Sequence, residues 1–66
     1  MKITVNEKEL IITSSLILSE LIEQFPIYLK NSAISVNNNI IPKKNWKKYT
    51  LKNNDKIILF HIIAGG

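Results

Sequence analysis

The residues best suited to chemistry stand at the end of the sequence, where an apolar run leads into Gly65 and Gly66. A glycine pair with no element after it has no turn or helix cap to form. It leaves a thin backbone that can enter a channel too narrow for any Cβ atom, with an α-carboxylate that is ionised at neutral pH. The alternative is a frayed terminus, because the last residues of most domains are poorly ordered. If the chain end is functional, the Gly66 carboxylate is the reacting group. Ala64 and Gly65 then matter because they are small enough to pass through a narrow channel.

The other candidate groups are a basic loop, one histidine and two glutamates. Basic groups interleaved with aromatic rings can bind single-stranded nucleic acid, but a loop without arginine favours a solvated segment anchored by a buried Trp46. The lysines of this loop are Lys43, Lys44, Lys47 and Lys48. His61 has no cysteine or second histidine with which to bind a metal, and Glu20 and Glu23 lie one turn apart on a polar helix face. We therefore expect no catalytic residue, no metal site and no nucleic-acid partner.

Length and composition predict one small domain over residues 1–66, with residues 62–66 as a flexible C-terminal tail. A chain of this length buries only about 60% of its unfolded surface, so its core is marginal. The sequence contains nine lysines, five acidic residues, no arginine and no cysteine, for a formal charge of +4. Disulfides are excluded, and any redox or sulfur chemistry cannot use a side-chain thiol of the chain's own. Because no signal-peptide pattern or membrane-length apolar run is present, we expect a cytoplasmic protein without a membrane partner.

The first half of the sequence predicts a hairpin followed by a helix. Residues 2–5 and 9–13 alternate as half-buried strands, with a polar turn between them. A helical stripe then follows, formed by Leu18, Leu21, Ile22 and Phe25. Ser15 is the predicted N-cap, and Pro26 is predicted to end the helix at Phe25.

The second half predicts three further pairing segments. Residues 33–37 alternate, an asparagine turn follows, and Pro42 limits Ile40 and Ile41 to an edge strand. After a brief pairing near residues 50–51, residues 56–63 are apolar on both faces, which is typical of a central strand.

Side-chain parity in that last strand predicts which residues face the core. Lysine is rarely fully buried, and Lys56 shares its side with Ile58 and Phe60. Ile57 and Leu59 are therefore predicted to point inward. Ile58 and Phe60 are left on an open face without a helix, where they form a docking patch that continues into the tail.

Several short segments form a pattern by their order and spacing. They are Ala33-Ile34-Ser35-Val36-Asn37, Ile40-Ile41-Pro42-Lys43, Trp46, Asn54-Asp55-Lys56-Ile57-Ile58-Leu59-Phe60 and Ile63-Ala64-Gly65-Gly66. Together they resemble the ThiS family, the sulfur carriers of thiamin biosynthesis. Lys43 stands where the family usually has arginine, Asn54 where it usually has glycine, and Ile17 where a threonine often caps the helix together with Glu20. A less well capped helix start is therefore expected.

The resemblance implies an α+β fold of the ubiquitin-like β-grasp type, a mixed sheet with one helix across one face. It implies a carrier and co-substrate, not an enzyme, with no cofactor of its own. A separate adenylating enzyme would use ATP to activate Gly66, a sulfur relay such as a cysteine desulfurase would supply sulfur, and thiazole synthase would take it from a C-terminal 1-thioglycine. The residues implied in partner binding are Ile58, Phe60, Ile62 and Lys43.

Two other functions remain open for such a fold with a Gly-Gly end. One is the small subunit of molybdopterin synthase, which also carries a thiocarboxylate, although the short length and the Ile-Pro-Lys segment disfavour it. The other is a ubiquitin-like modifier or interaction module, whose carboxylate would end in an amide with a lysine. The three functions differ in their product. The sulfur carrier gives a thiocarboxylate that donates sulfur to thiazole, the molybdopterin synthase subunit leads to a dithiolene, and the modifier forms a protein conjugate.

Overall fold

A computed structural model describes residues 1–62, which form a five-stranded mixed sheet with one helix across one face. The elements in chain order are β1 (Lys2–Val5), β2 (Lys8–Ile11), α1 (Leu18–Glu23), β3 (Ser32–Val36), β4 (Asn39–Ile41) and β5 (Lys56–His61). Short 3₁₀ helices follow α1 at Pro26–Tyr28 and β4 at Lys43–Asn45. This is the α+β architecture predicted from the sequence, with strand bounds that agree to within two residues.

The last strand lies at the centre of the sheet, as predicted. The strand order is β2-β1-β5-β3-β4. β5 runs parallel to β1, with Val5 opposite Ile57, and antiparallel to β3, with Ile34 opposite Leu59. β4 is the edge strand that Pro42 predicted.

The helix covers the face of the sheet that carries the inward side chains of β5. Ile57 is 0% exposed and Leu59 is 2% exposed, which confirms their predicted orientation. The core consists of Ile3, Val5, Leu18, Leu21, Ile22, Ile34, Val36, Trp46, Leu51, Ile57 and Leu59. Full burial of each large side chain contributes about 1.5–3 kcal/mol before entropy is counted. The packing of α1 on this face therefore stabilises the strand that leads to the chain end.

The helix bounds differ from the prediction at both ends. Ile17, not Ser15, is the N-cap, and the helix ends at Glu23, because the Phe25 N–H donates to Ile22 O in a tighter turn before Pro26. Glu20 Oε1 accepts the Ile17 N–H at 3.1 Å, which is one half of a capping box. Ile17 has no side-chain oxygen to supply the other half, so the helix start has only part of the usual cap.

The loop after β4 supplies hydrogen-bond acceptors for the N–H groups at this helix start. Leu18 N–H donates to Tyr49 O at 3.0 Å, and Ser19 N–H donates to Trp46 O at 3.1 Å. These are the first helical N–H groups, which have no acceptor inside the helix. Trp46 is buried, and its Nε1–H donates to Ile41 O at 2.9 Å, so the predicted anchoring role of this side chain is confirmed.

The same loop makes the short pairing predicted near residues 50–51. Thr50 forms an isolated antiparallel bridge with Ile17, and the Leu51 N–H donates to Leu16 O at 2.8 Å. The segment before α1 is thereby fixed to this loop without belonging to a strand.

Asparagines occupy most of the left-handed turn positions. Asn37, Asn38 and Asn54 have φ values of 52°, 72° and 71°. Asparagine tolerates this conformation better than most residues, which explains how Asn54 can stand where the resemblance would lead one to expect glycine. Glu7, at φ 71°, has no such advantage.

Candidate functional site

The candidate site is the end of β5 together with the open face of the sheet. The predicted reacting group on Gly66, and the small residues Gly65 and Ala64, lie outside the described residues. What the structure describes is the base from which they extend, up to Ile62.

Ile58 and Phe60 lie on the sheet face opposite α1, as their parity predicted. Phe60 is 37% exposed and pairs with Ala33, while Ile58 is partly buried and pairs with Ser35. The small side chains of Ala33 and Ser35 leave the larger β5 side chains prominent. Ile62 is 55% exposed, and its N–H donates to Asn31 O at 2.6 Å, so pairing with the β3 side continues one residue beyond the strand.

Ile40 enlarges this open face, although it was not among the residues predicted from the sequence to bind a partner. It lies on β4 opposite Ser35, which is itself opposite Ile58, so the three side chains form one row across three strands. Ile40 is 60% exposed. The signal was available, since an apolar residue alternating with an inward Ile41 on an edge strand must face outward. We call Ile40, Ile58 and Phe60 the apolar patch.

The other half of the open face is polar. Thr4 of β1 is opposite Lys56, and Lys2 is ion-paired with Glu9 of β2 at 3.7 Å. Ile11, at 74% exposure, is an isolated apolar side chain at the far edge. The open face therefore has an apolar half over β5, β3 and β4 and a charged half over β1 and β2.

Lys43 lies at the end of the sheet from which the chain continues towards Gly66. β4 runs in the same direction as β5, because both are antiparallel to β3. Lys43 follows Pro42 directly after β4 and is exposed. The structure thus places this cation near the same end as Ile62, but on the edge of the sheet and not among the residues of the apolar patch.

A polar and aromatic cluster holds the other side of the end of β5. β1 pairs with β5 only as far as Ile57, and beyond it the Leu59 N–H donates to Asn6 Oδ1 at 2.7 Å. Asn6 Nδ2 donates to the Tyr28 hydroxyl at 3.4 Å. The Tyr28 ring is stacked on His61, with centroids 4.5 Å apart and planes 19° apart. His61 is exposed and serves as a packing partner in this cluster.

Other features of the described residues lie away from this site. Two shallow concavities of about 270 and 260 Å³ are lined by residues of β2, the segment before α1, α1 itself, Met1 and Leu51, and by none of β5. Within residues 1–62, no group of three or more His, Asp or Glu side chains is placed to hold a metal ion. No helix in that range has the length and hydropathy needed to cross a bilayer.

Comparison with known proteins decides the family. The family model described as "ThiS family" matches residues 1–66. The chain belongs to the ThiS family. A ThiS relative, the sulfur carrier protein ThiS of Escherichia coli strain K12, is 30% identical over 66 residues, and the alignment covers all of both chains. The uncharacterized protein ycf40 of Trieres chinensis is 36% identical over 62 residues, which cover 94% of this chain and 85% of that protein.

Solved structures of a ThiS protein have the same fold. The crystal structure of the thiamine biosynthesis protein ThiS from Geobacter metallireducens matches with a TM-score of 0.85 at 22% identity, covering all of both chains. The solution structure of that protein matches with a TM-score of 0.76, covering all of this chain and 88% of the other. The β-grasp class predicted from the sequence is therefore confirmed, as is the resemblance to the ThiS family.

Proposed function

We propose that this chain is a sulfur carrier of thiamin biosynthesis and that Gly66 is its working residue. The observation that carries the proposal is the alignment with the sulfur carrier protein of Escherichia coli, which extends over the full length of both chains and so includes Ala64, Gly65 and Gly66. The absence of cysteine from the sequence agrees with it, because the chain then has no side-chain thiol to carry sulfur. The protein is on this view a co-substrate of other enzymes.

The chemistry begins with activation of the Gly66 carboxylate. A carboxylate accepts a sulfur nucleophile only after one of its oxygens has become a good leaving group. One carboxylate oxygen attacks the α-phosphorus of ATP in a partner adenylating enzyme, which gives an acyl-adenylate and releases pyrophosphate. The outer sulfur of a persulfide on the relay protein then attacks the acyl carbon and AMP leaves, which gives an acyl disulfide. A thiol cleaves this disulfide and is itself oxidised to a disulfide, so that it supplies the two electrons needed. The product is a C-terminal thiocarboxylate, 1-thioglycine, in which sulfur has replaced one oxygen.

The partners of this cycle recognise the protein through the described part of the chain. The adenylating enzyme binds the carrier before sulfur is loaded. A relay protein such as a cysteine desulfurase supplies the sulfur. Thiazole synthase then binds the loaded carrier and receives the sulfur. The apolar patch supports a docking role, because exposed large apolar side chains next to one another mark interaction surfaces. Ile62 extends this surface towards the chain end, and Lys43 adds a positive charge at the same end, which favours an acidic partner surface.

The proposal is tested by pyrophosphate exchange into ATP, catalysed by the cognate adenylating enzyme. The chain of residues 1–66 is expected to support exchange, and the matched chain of residues 1–65 is expected to support none, because its carboxylate is one residue short. Equal pyrophosphate exchange with both chains would show that the Gly66 carboxylate is not the group that is activated. Formation of an amide bond to a protein lysine after activation would instead indicate a ubiquitin-like modifier.

A further inference from the structure

The end of β5 is held on its β1 side by side chains, although no strand reaches that far. The last residue pair between β1 and β5 is Val5 with Ile57. Asn6 follows in a left-handed conformation, with φ 49°, and starts the turn to β2. Its N–H donates to Ile57 O at 3.0 Å, and its Oδ1 accepts the Leu59 N–H at 2.7 Å. The Asn6 side chain thus replaces the strand neighbour that Leu59 would otherwise lack.

The contacts continue from Asn6 to the last residue of the strand. Asn6 Nδ2 donates to the Tyr28 hydroxyl, and the Tyr28 ring stacks on His61. Tyr28 is fixed in turn, because the Ser32 hydroxyl at the start of β3 donates to its carbonyl oxygen. The stack has the near-parallel geometry that aromatic rings adopt in favourable contact.

On its other side, β5 is held by the backbone of β3 and the residue before it. Ser32 pairs with His61, and Asn31 O accepts the Ile62 N–H. The end of β5 is therefore held by Asn6 and Tyr28 at Leu59 and His61, and by the β3 side as far as Ile62, although β1 has already ended.

We infer that Asn6, Tyr28 and His61 form a clamp that fixes the direction in which the chain leaves the sheet, and that Asn6 and Tyr28 are positioning residues for the reacting end. The inference rests on the proposed function. A fixed exit reduces the conformational freedom that the chain must lose when its end enters a partner's active site. The clamp therefore acts on the binding of the carrier and not on the chemical step.

Two matched pairs of substitutions separate the clamp from the general stability of the fold. Tyr28→Leu removes the stack and the hydroxyl, whereas Tyr28→Phe keeps the stack. Asn6→Gly keeps the left-handed turn and removes the side-chain amide, whereas Asn6→Asp keeps an oxygen for the Leu59 N–H. All are made in the full chain, which is labelled with ¹⁵N for amide hydrogen exchange.

Hydrogen exchange at Leu59 and Ile62 is the first measurement, with the amides of β3 and β4 as the internal reference. Tyr28→Leu and Asn6→Gly are expected to accelerate exchange at Leu59 and Ile62 relative to the reference by about fivefold, the ratio that corresponds to one net hydrogen bond. Tyr28→Phe and Asn6→Asp are expected to restore most of the protection. Unchanged exchange at both amides in Tyr28→Leu and Asn6→Gly would overturn the clamp.

Adenylation kinetics are the second measurement. Tyr28→Leu and Asn6→Gly are expected to raise KM for the carrier and leave kcat unchanged, and the two conservative variants are expected to have KM close to that of the unmodified chain. Faster exchange without a change in KM, or an equal loss of kcat in all four variants, would overturn the positioning role. If the unmodified chain is not adenylated, the proposed function fails, whereas the exchange data still decide whether the clamp holds the strand end.

Discussion

Asn37 and Asp55 join the turn after β3 to the start of β5, with Asn37 Nδ2 donating to Asp55 Oδ1 at 3.0 Å. Asn37 Oδ1 accepts the Lys56 N–H at 2.9 Å, and Asp55 Oδ2 accepts the Lys52 N–H at 2.8 Å. Asp55 is 6% exposed. Both residues belong to the segments that resemble the ThiS family, and the structure gives them a structural role at the end of the sheet opposite the exit of the chain.

Asp55→Ala is expected to lower the free energy of unfolding by about 2 kcal/mol or more, because hydrogen bonds to a charged group contribute about 1.5–3 kcal/mol and the substitution leaves two donors without their acceptor. Urea denaturation followed by circular dichroism measures the change. Glu23→Ala is the matched control, since it removes the same charge from an exposed helix position. A loss for Asp55→Ala no larger than that for Glu23→Ala would contradict the structural role.

Glu7→Gly is expected to stabilise the protein by about 0.5–1 kcal/mol. Glu7 has φ 71°, and a left-handed conformation costs a residue with a Cβ atom about 1–2 kcal/mol, part of which glycine loses again through its larger backbone entropy. Thermal unfolding measures the effect. Glu9→Gly, two residues later on β2, is the control and is expected to destabilise, because glycine weakens a strand interior. If both substitutions shift the melting temperature in the same direction, the assigned turn conformation is wrong.

Trp46→Phe is expected to cost about 1–3 kcal/mol, because it leaves the carbonyl of Ile41 without the indole donor while it keeps an aromatic ring in the core. Trp46→Ala is expected to cost about 3–5 kcal/mol through the cavity that it creates. The Trp46 carbonyl also accepts the Ser19 N–H at the helix start. Because loss of the indole loosens this loop, the alanine variant is expected to have a lower helix content. Two variants of equal stability would indicate that Trp46 is not buried as described.

The features of the fold that could be predicted are those set by residues close together in the sequence. The inward orientation of Ile57 and Leu59 follows from alternation along one strand, and the stripe on α1 follows from its 3.6-residue period. Side-chain preference alone favoured Ser15 as the N-cap, because the helical N–H groups are satisfied by carbonyls of Trp46 and Tyr49, which are distant in the sequence. The resemblance to the ThiS family indicated the cap position at Ile17 through its pairing with Glu20.

The residues of the candidate site divide in the same way. Ile58 and Phe60 were predictable from parity, and Ile40 could have been found by the same rule. The link from Asn6 to Leu59 could not, since it joins residues more than fifty positions apart that meet only when β1 and β5 pair in parallel.

Phe60→Asp is expected to leave the fold intact and to abolish or strongly reduce adenylation, because it places a charge in the apolar patch at the end that leads towards Ile62. Circular dichroism checks the fold and pyrophosphate exchange checks the activity. Ile11→Asp is the matched control, since Ile11 lies on the same sheet face at the opposite edge, and it is expected to keep full activity. Equal activity of the two variants would show that the apolar patch is not the docking surface, and an unfolded Phe60→Asp would assign Phe60 to the core.

Ile40→Lys is expected to weaken docking with little effect on stability, because Ile40 is exposed on the edge strand and contributes its side chain to the same row as Ile58. The measurement is KM for the carrier in the adenylation reaction. An unchanged KM would restrict the docking surface to β5.

Whether the Gly66 carboxylate carries sulfur is decided by the intact mass of the protein. The chain is incubated with its adenylating enzyme, ATP and a sulfur source. The masses of the intact chain and of its C-terminal fragments are then measured by mass spectrometry. We predict an increase equal to the difference between sulfur and oxygen, located at Gly66 and absent from the chain of residues 1–65. An unchanged mass, under conditions in which the enzyme converts ATP to AMP and pyrophosphate in the presence of the chain, would show that Gly66 does not carry sulfur.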